Sequence, residues 1–142
     1  MITVDFNFSA LAAKLDKITQ AADAAVRPAA QAGAQVFYDE VRQRAPVGTK
    51  VHSTKGKKQT YQPGNLRAAI YQAFMDKESG QGRASYRVSW NKRDAFYARF
   101  VEFGTSKTPA RPFLRPAYDA AQRRALQAAN ARMVAEVKKA TT

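Results

Sequence analysis

The stretch LRAAIYQAFMDKESGQGRASYRVSW, residues 66–90, decides the fold. Leu66 to Met75 is apolar and mixes β-branched with aromatic residues, and the charged, glycine-bearing run from Asp76 to Arg83 then breaks it. Tyr86, Val88 and Trp90 follow, alternating with Arg87 and Ser89. Two such runs around a flexible turn predict an antiparallel hairpin, with one strand near 67–76 and the other near 84–91.

Upstream of the hairpin, Ile2, Val4, Phe6 and Phe8 alternate with Thr3, Asp5 and Asn7, a period of two that predicts a half-buried strand. Ser9 offers a hydroxyl as helix cap. Leu11, Leu15, Ile18 and Ala22 then recur at helical spacing. Pro28 fits the first turn of a helix and not its interior, which predicts two helices, near 10–25 and 28–44. The second presents Ala29, Ala32, Gly33, Val36, Phe37 and Val41 as one stripe. Residues 45–65 carry Pro46, Gly48, Gly56, Pro63 and Gly64 among lysines and hydroxyl residues, and predict a long loop, mobile in the free protein. Downstream, Phe96 to Phe103 is dense in aromatics and reads as a final strand and turn that Gly104 ends. After Pro109, Pro112 and Pro116, an Ala-rich segment over 116–139 reads as an amphipathic helix with Ala117, Ala121, Ala125, Met133 and Val137 on one stripe. The fold class is therefore α+β: a small, mainly antiparallel sheet packed by two N-terminal helices and one long C-terminal helix. A chain of 142 residues has room for one domain, 1–142, with a mobile basic loop at 46–64.

Composition narrows the function classes. Hydrophobic residues at 45% and charged residues at 25% are ordinary globular usage and argue against global disorder. With no cysteine there is no disulfide framework, thiolate metal site or cysteine nucleophile, and one histidine, His52, is too few for a multi-histidine metal site. Pro28 to Tyr38, the longest charge-free helix-like stretch, is well short of the ~18 apolar residues of a membrane span. The N-terminus lacks the basic start and apolar core of a signal peptide, so a soluble protein made in a cytoplasm is expected. Alanine occurs 28 times and buries little area per residue, which leaves much of the core to aromatics and to subunit contacts.

The net charge of +13 is unevenly placed: residues 1–40 balance to −2, whereas 41–70 hold seven basic residues and no acidic one. Such a surplus speaks about partners and not about fold. Lys50, Lys55, Lys57, Lys58 and Arg67 are the candidate contacts to an acidic partner or to DNA. Tyr61, Tyr71, Tyr86 and Trp90 interleave with the basic residues, so a free-standing basic nucleic-acid-binding protein is the alternative reading, although no helix-turn-helix, zinc-finger or RNA-sheet signature is present. Catalysis finds little support. Glu102 lies in the apolar run FVEFG, where a salt bridge to Arg99 or Arg111 that fastens the turn is expected. His52 has no neighbouring carboxylate, and Gly48-Thr49-Lys50 lacks the spacing of a phosphate loop. No enzyme activity, cofactor or metal is expected.

The segment FYARFVEFGTSKTPARPFLRPA, residues 96–117, resembles the signature of the head–tail neck proteins of long-tailed bacteriophages, the tail-completion family similar to lambda gpZ. Tyr97-Ala98, Val101-Glu102-Phe103-Gly104-Thr105 and Ala110-Arg111-Pro112-Phe113-Leu114-Arg115-Pro116-Ala117 match its pattern. Ala45-Pro46 and Pro63-Gly64-Asn65-Leu66 match an upstream element more loosely, with Pro63 for the usual Thr and an insertion of about sixteen residues between them. The resemblance implies a structural virion protein, assembled in the host cytoplasm, that completes the tail and joins it to the head. The implied partners are further copies in a ring, six-fold by tail geometry, a tail-terminator or tail-tube protein, a head-side connector and passing DNA, with no membrane. The motif has its own logic. Tyr97, Phe100 and Phe103 are expected to anchor in the core, Gly104 permits a turn, Pro116 opens the last helix, and Phe113 with Leu114 pins that helix to the sheet.

Overall fold

The computed structural model describes residues 1–53, 56 and 59–142. Helix α1, Ser9–Arg44, is followed by a short ladder of β1, His52–Ser53, with β2, Thr60–Tyr61. Next come α2, Asn65–Ala69, and the main hairpin of β3, Ile70–Phe74, and β4, Tyr86–Trp90. Helices α3, Ala98–Phe103, and α4, Leu114–Thr141, complete the order. The α+β class and the antiparallel hairpin follow the sequence reading, with Ile70 opposite Trp90 and Phe74 opposite Tyr86, but residues 67–69, expected to start the first strand, are helical in α2.

The two N-terminal helices of the sequence reading are one. α1 runs 36 residues straight through Pro28. Proline removes one N–H and crowds the carbonyl four residues back, at a cost of ~3 kcal/mol. That carbonyl belongs to Ala24, on an exposed turn where water reaches it, while Ala21, Ala25, Ala29 and Ala34 stay buried on either side of the break. Continuous burial on both sides of the proline outweighs the local penalty.

The predicted N-terminal strand is also absent. Residues 1–8 form neither helix nor strand and are exposed, and Phe6 keeps 76% of its surface in solvent. A strand needs a partner edge, and none of the described residues pairs with this segment. Ser9 is not the cap; its N–H donates instead to Asn7 Oδ1 at 2.9 Å. Exposure continues through residue 20, leaving Leu11, Leu15 and Ile18 uncovered on the first turns of α1.

From Ala21 onward, α1 packs antiparallel to α4. Phe37 stacks on Tyr118 with ring centroids 5.4 Å apart, and Gly33 meets Ala125 and Ala129 further along. A Cβ on Gly33 would stand 3.3 Å from the carbonyl oxygen of Ala125, so small residues set the helix spacing. Glu40 on α1 fastens the pair, accepting from Arg44 at 2.6 Å and from Arg124 at 2.5 Å. The hydrogen bond from Arg44, then that from Arg124, holds the Glu40 carboxyl below the usual carboxylate range. The hairpin lies on another face of α1: Gln72 donates to Gln35 at 2.5 Å, and Arg27 sits 4.0 Å over the Phe74 ring.

The core gathers where α1 ends, around Val41, Ala45, Leu66, Ala69, Ile70, Ala95, Ala98, Phe113 and Ala117. Tyr38, Val88, Trp90, Tyr97 and Val101 pack against it, half-buried. Phe113 is the one large side chain among the described residues with essentially no exposure, and its ring centroid lies 6.3 Å from that of Trp90.

Candidate functional site

The segment 97–117 folds as a brace between α3 and α4. Tyr97 is half-buried, and Asn65 Nδ2 donates to its hydroxyl at 3.1 Å and to the Asp94 carbonyl at 2.5 Å. The aromatic run reads as a strand by composition yet forms a helix. A strand that buried Ala98 and Glu102 would turn Phe100 inward with them; burying the pair while Phe100 stays exposed requires helical spacing. The cost falls on the aromatics: Phe100 is 50% exposed and Phe103 73%. The expected anchoring of Phe100 and Phe103 in the core is therefore corrected, because the small and acidic face of α3 is the one turned inward.

Glu102 is the buried charged residue among those described. It forms no salt bridge to Arg99 or Arg111. Oε2 accepts the N–H groups of Phe113 at 2.7 Å and Leu114 at 3.0 Å, and Oε1 accepts that of Arg115 at 3.1 Å. These are the free donors that open α4, and a carboxylate from another helix satisfies three of them at the positive end of the helix dipole. Proline at the third helical position, Pro116, needs no such partner. Charge alone points to an arginine partner for Glu102, because backbone amides carry no mark in the sequence.

Gly104 makes the brace possible. It ends α3 with φ +74°, and a Cβ there would stand 2.7 Å from the backbone nitrogen of Ala110. Thr105 then closes a tight turn: its N–H donates to the Thr108 carbonyl at 2.9 Å, and its hydroxyl accepts from the Thr108 N–H at 3.1 Å. The chain returns beside α3, where the Arg111 N–H donates to the Val101 carbonyl at 2.7 Å. Pro112 is exposed and Phe113 enters the core. Of the motif residues, then, Glu102, Gly104, Thr105 and Phe113 converge on one joint, Tyr97 braces its near side, and Phe103 points away.

An aromatic surface flanks the joint. Tyr61 packs edge-on to Tyr97 at 5.2 Å and tilted to Phe96 at 6.1 Å, and Phe96 meets Phe100 at 6.4 Å. Below it lies a cleft of about 180 Å³ that Lys50, His52, Tyr61 and Tyr97 help to line. The basic segment thus begins at the aromatic edge. Lys50 is exposed there; Lys55, Lys57 and Lys58 lie outside the described residues. Arg67 is turned inward, its guanidinium donating to the carbonyls of Gln43 at 3.3 Å and Ala45 at 3.2 Å. Neither that role in closing the end of α1 nor the Asn65 bridge carries a mark in the sequence beyond the turn signal Pro63-Gly64 before Asn65. Among the described residues no group of His, Asp or Glu is arranged to hold a metal ion, and no helix is long and apolar enough to cross a membrane.

A protein-family model described as "Bacteriophage HK97-gp10, putative tail-component" matches residues 9–104. The chain belongs to the HK97-gp10-like family. This places it among phage tail components, in agreement with the resemblance carried by its 96–117 motif. In HK97-gp10-like terms the matched region runs from the start of α1 to the glycine that ends α3, leaving the N-terminal arm and α4 outside it. No curated protein and no solved structure matches the chain.

Proposed function

We propose that this tail component completes the head-proximal end of the tail and joins it to the DNA-filled head. Copies form a closed ring between a tail-terminator or tail-tube protein and the head-side connector, and the protein resides in the neck of the virion. One observation carries the reading: the charged group buried in the signature segment, Glu102, has both oxygens occupied by three backbone N–H groups. The segment is a stiff joint beside exposed aromatics, suited to docking and not to turnover of a substrate. A head-to-tail contact that closes on itself gives a ring.

The basic loop 46–64 docks on an acidic protein surface. A lysine cluster gripping phosphates would hold DNA with steep salt dependence, which a channel that must release its genome gains little from. The test is complementation. In a lysate lacking this chain, complete tails and filled heads are expected to accumulate apart, and added purified protein is expected to join them. Joined particles in its absence, or tails that never form, would refute the neck assignment.

A further inference from the structure

The arm, residues 1–8, carries the apolar alternation of a strand, but none of the described residues pairs with it. The main hairpin has the opposite deficit. Asn91 N–H donates to the Ala69 carbonyl and Met75 N–H to the Ser85 carbonyl, so the odd-numbered residues of β4 face β3. The N–H and C=O groups of Tyr86 and Val88 therefore point away from β3, and no described residue pairs with them. Beside that free edge runs an apolar groove of about 340 Å³, lined by Gly33, Ala34, Phe37, Val88, Leu126 and Ala129 among others.

We infer that the arm of one copy adds as a third, antiparallel strand to the β4 edge of the next copy, with its apolar side chains in that groove. Self-docking is excluded by reach. Val88 pairs with Gln72, which bonds Gln35 on α1, and Ser9 lies about 39 Å from Gln35 at 1.5 Å per residue. Eight extended residues span only about 26 Å.

Register and charge agree with a second copy as the occupant. Setting Val4 opposite Val88 puts Phe6 opposite Tyr86, on the groove side, and Asp5 opposite Arg87 on the outer side. Like bodies of this protein repel, because residues 1–20 hold two acidic and two basic residues and the whole +13 lies beyond them. A neutral apolar arm is the element that can cross between two such bodies. Two-stranded hairpins are marginal in water, and a third strand relieves that as well. The contact is heterologous, arm to edge, as a ring requires. The inference deepens the assembly reading above by naming its contact.

The chain holds no cysteine, so introduced thiols report contacts without background. Thr3→Cys protein and size-tagged Ser89→Cys protein, mixed under mild oxidation, are expected to give at least tenfold more mixed disulfide than Thr3→Cys with Asp119→Cys. Removal of residues 1–8 is expected to weaken self-association at least ~100-fold by sedimentation, since two interfacial aromatics are lost. Phe6→Asp, which keeps the chain length, is expected to do the same with an unchanged circular dichroism spectrum. Cross-linking no better than the Asp119 control, or a truncated chain that associates like the full one, overturns the inference. Rings that form without the arm would leave the neck assignment standing, whereas failure of complementation with a positive mixed disulfide would sink that assignment alone.

Discussion

Glu102 is the residue on which the stiffness of the joint is most exposed to test. Glu102→Ala removes both acceptors from three amides, one of which, at Phe113, sits in a residue with no solvent exposure. A helix cap that satisfies a single amide is worth ~1 kcal/mol, and hydrogen bonds to a charged partner about 1.5–3 kcal/mol each. Water reaches the Leu114 and Arg115 amides in the variant more readily than that of Phe113, so the full sum is not lost. A cost of about 3–5 kcal/mol follows, comparable to breaking a buried charged network. Glu102→Gln keeps the shape and one acceptor but turns an NH2 toward a donor, and should cost about 2 kcal/mol. For a chain of this size the alanine variant should melt about 10–15 °C lower. Urea unfolding followed by circular dichroism reads both variants. The control is Glu136→Ala, whose pair with the exposed Arg132 is one turn apart and only partly covered, worth about 0.3–0.5 kcal/mol. If Glu102→Ala falls within 1 kcal/mol of the parent, the carboxylate is not what holds α3 to the start of α4.

Gly104→Ala should destabilise by about 3 kcal/mol in the same assay, because the positive φ and the approach of Ala110 both resist a side chain; a cost under 1 kcal/mol would show that the turn adapts. Glu40 has its carboxyl held below the usual range by Arg44 and Arg124. A depressed folded-state value means its stabilisation is present above the ordinary carboxylate range and fades as pH falls through the lower folded value. Arg124→Gln should therefore flatten the loss of melting temperature with acidification below about pH 4.5, and an unchanged acid limb would count against the pair. Deleting residues 50–60 should leave the thermal transition in place and abolish head–tail joining; unfolding of the shortened protein would show that the β1–β2 ladder supports the fold.

The parts of the fold legible in the sequence are those where periodicity and burial agree within one chain. The hairpin at 70–90 and the Ala117, Ala121, Ala125 stripe of α4 are of this kind. Legibility failed where the deciding partner was remote or carried no side-chain signal. Pro28 reads as a break because its local cost is visible, whereas the alanine contacts that outweigh it depend on α4, nearly a hundred residues away. The 96–103 run reads as a strand because aromatics favour sheets, yet what selects a helix is the placement of Ala98 and Glu102 against a later segment. In the joint, the glycine and the prolines announced a stiff turn; that Glu102 closes it through amides could not be read from charges. The N-terminal alternation is a different case. The pattern is that of a strand, and the chain it pairs with is the missing information.

The distribution of phenylalanine argues the same point from energetics. Of eight such residues, Phe6, Phe8, Phe96, Phe100 and Phe103 are exposed and only Phe113 is fully buried. The interior is assembled largely from alanine, which sets distances but contributes little burial per residue. A monomer that leaves its largest apolar groups in two exposed clusters, the arm and the end of α3, keeps them for other surfaces. The +13 charge holds such molecules apart while they are free. Salt consequently separates the two kinds of contact. Screening relieves the repulsion between like bodies and strengthens an arm-to-edge association, whereas it weakens docking of the basic loop on an acidic partner. Association of the purified chain that rises from 50 to 500 mM salt, alongside partner binding that falls over the same range, is the expected pair of results. Self-association that salt dissolves would mean that charged groups, and not the apolar arm, hold the copies together.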